Sequence, residues 1–150
     1  MIHRMTAAGL FPPPDYAHAA VVEAGRRLAF MAGAVPLDGE GGLVGAGDPV
    51  AQTRQVLVNL RIALEEVGSD LSQVLSSTVY VVADVPGDLA RVWEVVRRSE
   101  LAAGPHTSTL LGVSCLGYTG QLVEITAVAA VPDEGSLPPG AENGDGAGTS

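Results

Sequence analysis

The chain contains no lysine: all eight of its basic residues are arginine. A Schiff-base amine and the phosphate-gripping position of a P-loop both call for lysine, so two large mechanistic classes fall away. Cysteine is almost as scarce, and the single Cys115 excludes an intramolecular disulfide framework. No uninterrupted apolar run approaches the ~18 residues that suggest a membrane span. The apolar part of "MIHRMTAAGLF" is too short for a signal peptide before the three prolines that follow it. The expected compartment is the cytoplasm, without a membrane partner. Positive charge is also in short supply. Acidic residues number 17, the net charge is −9, and even with Asp133, Glu134, Glu142 and Asp145 of the C-terminal tail set aside the balance stays negative. That argues against nucleic acid as a partner. The three histidines, His3, His18 and His106, lack metal-ligand spacing, so neither a metal nor another cofactor is expected.

What is present suits one domain. At 150 residues and 47% hydrophobic, the chain can bury one sizeable core. Residues 1–13 end in a run of prolines and read as an extended arm. "HAAVVEAGRRLAFMAGAV" has two apolar runs around a glycine turn, which predicts a β-hairpin. In "GDPVAQTRQVLVNLRIALEEVGSD", Asp48 is a helix N-cap, Pro49 suits the first helical position, and Val56, Leu60, Ala63, Leu64 and Val67 recur at helical spacing before Gly68 ends the helix. "VLSSTVYVVADV" reads as a strand. The segment after it places Leu89, Val92, Trp93 and Val96 on one stripe of a second helix, with Asp84 or Asp88 expected to cap it. Two final strands fall at about 107 to 114 and 122 to 131. The predicted order β-β-α-β-α-β-β defines an α+β domain with one sheet, spanning 14–131. Residues 132–150, rich in Gly and Pro with Leu137 the only large apolar side chain, are expected to be disordered.

Most candidate chemistry is weak. "GEGGLVGAGDP" lacks a lysine, and Asp48 would put a carboxylate where an anion should sit. "GVSCLG" has the wrong spacing for a nucleophile elbow and leads into a strand. Cys115 with His106 could form a thiolate pair, although a lone cysteine near a strand end is more often packing. Glu124 differs from these. It interrupts the apolar run of the last strand, where Leu122, Glu124, Thr126 and Val128 alternate with Val123, Ile125, Ala127 and Ala129, so neither face is cleanly polar. A carboxylate there must reach water or be hydrogen-bonded, and it can act as a proton acceptor. The second, still apolar sheet face predicts self-association.

The segment "PHTSTLLGVSCLGYTGQLVEI", with "TVYV", "PDYAHA" and "FMAGAVP", resembles the Rid family of reactive-intermediate deaminases, also called L-PSP endoribonucleases. The resemblance implies a chorismate-mutase-like α+β fold, a homotrimer with inward-facing sheets, and small-molecule clefts between subunits. It implies hydrolysis of an imine or enamine, with Glu124 in the place of the glutamate that positions the water. Tyr16, Trp93, Ala32, Thr107 and Thr109 fall on or near ligand-binding positions. Thr107 stands where active members carry an arginine that clamps the substrate carboxylate, and Ala32 where they usually carry a serine. This departure leaves a non-catalytic ligand-binding protein as the rival reading; nuclease activity is disfavoured by the acidic charge.

Overall fold

The computed structural model describes residues 2–104 and 106–133. Its strands are β1 (Ile2–Met5), β2 (Ala19–Val22), β3 (Arg27–Ala34), β4 (Val74–Val82), β5 (Thr107–Val113) and β6 (Val123–Val131); its helices are α1 (Pro49–Glu66) and α2 (Pro86–Arg97). Short 3-10 turns at Leu71–Gln73 and Glu100–Ala102 precede β4 and β5.

Local chemistry sets the helix ends. Asp48 accepts from the backbone N–H groups of Val50 and Ala51 at 3.0 and 3.1 Å, satisfying two of the orphan donors at the start of α1. Gly68, at φ +79°, adopts the left-handed conformation that lets the chain leave the helix. Val56, Leu60 and Leu64 are fully buried as their spacing requires, whereas Val67 lies beyond the last turn and is exposed. The start of α2 departs from expectation. Its cap is Val85, with no side-chain hydrogen bond. Pro86 takes the first helical position, which leaves Asp84 too early to cap and places Asp88 inside the first turn, where its charge favours the positive helix end.

The main sheet has the order β3-β6-β4-β5. β6 is antiparallel to both neighbours, and β4 and β5 are parallel because α2 carries the chain across between them. The expected hairpin pairing is not made. Gly25, at φ +86°, turns the chain between β2 and β3, but β3 pairs with β6 while β2 pairs with β1 in a separate two-stranded sheet. The predicted arm therefore contains a strand, Ile2–Met5, ahead of its prolines. Four residues of alternating exposure were too short a pattern to read as a strand from sequence. The tail expected to be disordered lies, from residue 134 on, outside the described residues.

Both helices pack on one side of the main sheet. Val79, Val81, Val123, Ile125, Ala127 and Ala129 meet Val56, Leu60, Leu64, Val92 and Val96 there. The other side carries Leu28, Phe30, Glu124, Thr126 and Val128, and Phe30 remains 77% exposed. Large apolar side chains on an uncovered sheet face are the structural counterpart of the mixed alternation in β6. No helix among the described residues is long and apolar enough to cross a membrane.

Candidate functional site

Glu124 projects from β6 onto the uncovered face and is half-buried. Three residues upstream, the buried Gln121 is oriented by its own short turn. Its side-chain carbonyl accepts from the Tyr118 N–H at 3.1 Å, and its Nε2 donates to the Val123 carbonyl at 3.1 Å and to Glu124 Oε1 at 3.2 Å. The second carboxylate oxygen lies over β3. A Cβ built on Gly33 would sit 2.7 Å from Glu124 Oε2 and 2.7 Å from Cδ, so only glycine lets the carboxylate rest against the strand. Tyr80 is its cross-strand neighbour on β4. One oxygen is thus held by an amide and the other passes over bare backbone, which fixes the orientation of the carboxylate. Ala32, exposed, is the chain neighbour of Gly33.

A second constellation forms near the start of β5. Trp93 Nε1, on α2, donates to Asp15 Oδ2 at 3.4 Å, and the Ala17 N–H donates to the His106 carbonyl at 3.0 Å. The segment 15–17 thus straps Tyr16 between α2 and the strand that begins with Thr107. Tyr16 is 38% exposed and meets the His18 ring edge-on, with centroids 6.4 Å apart. Thr107 donates its hydroxyl to the Leu75 carbonyl at 2.8 Å. Thr109 lies on β5 two residues beyond Thr107, in register with Thr78 of β4.

Within one chain these halves do not meet. Glu124 pairs with Tyr80 and Thr107 with Ser76, so the two are separated by two strand spacings and four residues of rise. At ~4.8 Å per strand and ~3.3 Å per residue, that is about 16 Å. The structure therefore ties the residues flanking Tyr16 to Trp93 and to His106, next to Thr107, and seats Glu124 elsewhere, over Gly33 next to Ala32. Gln121 and Gly33 are the contributors that sequence reasoning missed. The only signals were a polar residue three before Glu124 and a glycine inside an otherwise apolar strand.

The Cys115–His106 pair is not formed. The two residues flank opposite ends of β5, whose seven residues span roughly 20 Å at the usual strand rise. Cys115 is exposed, whereas His106 is fully buried, its Nε2 2.7 Å from Ser77 Oγ, which in turn lies 2.9 Å from Ser108 Oγ. Burial, and secondarily the Arg4 guanidinium, push the His106 pKa down to about 4. Its Nδ1 has no hydrogen-bond partner among the described residues, so the imidazolium would lack an acceptor there. Above the unfolded value near 6.5 both states are neutral; as pH falls towards 4 the unfolded chain binds a proton that the folded one does not, so stability drops by up to about 3 kcal/mol. The stability advantage of the wild type over His106→Asn is expected to shrink between pH 7.5 and pH 4.5 in parallel denaturant titrations. An advantage that stays constant across that range would show that His106 does not set it.

No group of three His, Cys, Asp or Glu side chains among the described residues could hold a metal ion. Residues 10–131 match the family model described as Endoribonuclease L-PSP. The chain belongs to this family, the Rid or YjgF family. Protein DfrA of Myxococcus xanthus is 40% identical over 114 residues, covering 76% of this chain and 83% of DfrA. Among solved structures, the Rid-family protein YyfB of Yersinia pestis shares 31% identity at a TM-score of 0.76, covering 86% of this chain and 98% of YyfB. RidA from an Antarctic Psychrobacter species, at 24% identity, TM-score 0.61 and coverage of 85% and 94%, shows the shared fold alone. The order of helices and main-sheet strands, read from the sequence as α+β, is that of these Rid structures.

Proposed function

We propose that this Rid-family chain works as a homotrimer, closed through the uncovered sheet face, and hydrolyses an uncharged imine or enamine in clefts between subunits. The observation that carries the reading is the Glu124 carboxylate, aimed by Gln121 and seated over Gly33 on a face that a second copy would cover. Glu124 accepts a proton from water as the oxygen adds to the C=N carbon, and the imine nitrogen takes up a proton. The C–N bond of the resulting carbinolamine then breaks, giving a carbonyl compound and an amine or ammonia. Association supplies what one chain lacks. The Tyr16–Trp93–Thr107 half of one copy lies opposite the Glu124 half of its neighbour, in a cleft that excludes water from Phe30 and Leu28.

The threonine at 107 sets the substrate class. It cannot form the bidentate, charge-assisted pair that an arginine makes with a carboxylate. Each lost hydrogen bond to a charged group removes about 1.5–3 kcal/mol of binding. Trp93 and Thr107 favour a flatter, uncharged ligand over a 2-imino acid. The second reading is a non-catalytic ligand-binding protein on the same scaffold, favoured by that same threonine. Endoribonuclease activity is opposed by the net charge of −9, which repels a polyanion.

The test is turnover of two freshly generated substrates, an uncharged aldimine and a 2-imino acid, by the wild-type protein. The expected result is hydrolysis of the aldimine above the buffer rate with the 2-imino acid scarcely accelerated. Acceleration of neither would make the binding-protein reading the better account.

A further inference from the structure

On the side of the sheet away from the proposed cleft, α1 and α2 enclose a groove of about 580 Å³. Its apolar lining comes from Val50, Leu57 and Val95, and three arginines stand around it: Arg54, Arg91 and Arg98. Three of the chain's eight cations thus converge on one groove of a protein whose net charge is −9. Their pairing is incomplete. Arg98 Nη2 is held 2.6 Å from Glu94 Oε1, and Arg97 binds the same carboxylate. The Arg54 and Arg91 side chains have no hydrogen-bond or ion-pair partner among the described residues. One carboxylate therefore faces three guanidinium groups around the groove, which retains positive charge.

We infer that this groove is a binding site for a small organic anion, a carboxylate or phosphate head on an aryl or branched alkyl body. The volume falls within the usual range for small-molecule pockets, and the combination of apolar lining with a few convergent polar groups is what such sites share. Guanidinium groups match carboxylate and phosphate oxygens in pairs, and the partner-free Arg54 and Arg91 can turn to the head group without breaking an existing bond. The apolar body would cover Leu57 and Val95. Association through the opposite sheet face leaves the groove open, so the site is independent of the proposed hydrolysis.

The test uses the full chain and three probes: 2-naphthoate, 2-naphthyl phosphate, and the neutral 2-naphthalenemethanol. Calorimetric or NMR titration is expected to give binding of at least one anion in wild type, weakened at least about tenfold in the double variant Arg54→Gln/Arg91→Gln, with the neutral probe the same in both. Both arginines are exposed, so the variant should fold, and circular dichroism checks this. Resolved NMR shifts at Val50, Leu57 and Val95 would place the ligand in the groove. Equal affinity in wild type and double variant, or no anion binding at millimolar concentration, overturns the proposal. So does binding of an oligoglutamate peptide without either naphthyl anion, which would make the groove an acidic-protein site.

Discussion

Glu124→Gln is expected to lower turnover of an uncharged aldimine by about 10² to 10⁴-fold, the usual contribution of a positioned proton acceptor. Glutamine keeps the shape, and the Gln121 amide can still donate to its carbonyl oxygen, so fold and melting temperature should hold. The side chain already rests over Gly33 and Gln adds no heavy atoms, so there is no new clash. What is lost is the acceptor proposed to take the water proton. Undiminished turnover with Gln at 124 would reduce Glu124 to a structural carboxylate beside Gln121.

The largest stability effect is expected at Gln52 on the first turns of α1. This side chain is fully buried and joins three segments. Its Nε2 donates to the Gly45 carbonyl at 3.1 Å and the Gly120 carbonyl at 3.0 Å, and its Oε1 accepts from the Leu122 N–H at 2.7 Å. Gln52→Leu roughly preserves volume while leaving three backbone groups without their partner. At about 1–3 kcal/mol for each unsatisfied buried group, partly relieved by relaxation, the loss should be about 3–5 kcal/mol. For a domain of this size that lowers the melting temperature by about 10 °C. Leu122 leads directly into Glu124, so the variant should also loosen the carboxylate. A melting temperature within 2–3 °C of wild type would show that those carbonyls and the N–H find other partners.

The contrast between Gln52 and Asp48 shows what was legible in the sequence. Asp48-Pro49 announces a helix start because capping depends on neighbours in the chain, and the structure has Asp48 bonded to Val50 and Ala51. The alternation of β6 was equally legible, with Val123, Ile125, Ala127 and Ala129 buried and Glu124 on the other face. Gln52 reads only as one polar position in a helix, because its partners lie 7, 68 and 70 residues away. Strand pairing failed for the same reason. Two apolar runs around Gly25 predict a local hairpin, but β3 takes a partner from the far end of the chain. The site residues were named from a motif that says nothing of sheet register, and register is what separates Glu124 from Thr107 within one chain. Gln121 and Gly33 went unseen because their roles are contacts with Glu124 that no local pattern encodes.

In the proposed cleft the Glu124 half and the Tyr16–Trp93–Thr107 half come from different copies. Subunit mixing tests this most directly. Glu124→Gln and Tyr16→Arg each spoil one half and should each be inactive on the aldimine as pure assemblies. Unfolded together in equal amounts and refolded, they should recover about a quarter of wild-type turnover, because random association in a cyclic trimer joins an intact Glu124 to an intact Tyr16 of the neighbour in about one cleft in four. Turnover of the mixture no higher than the mean of the two separate variants would contradict the account.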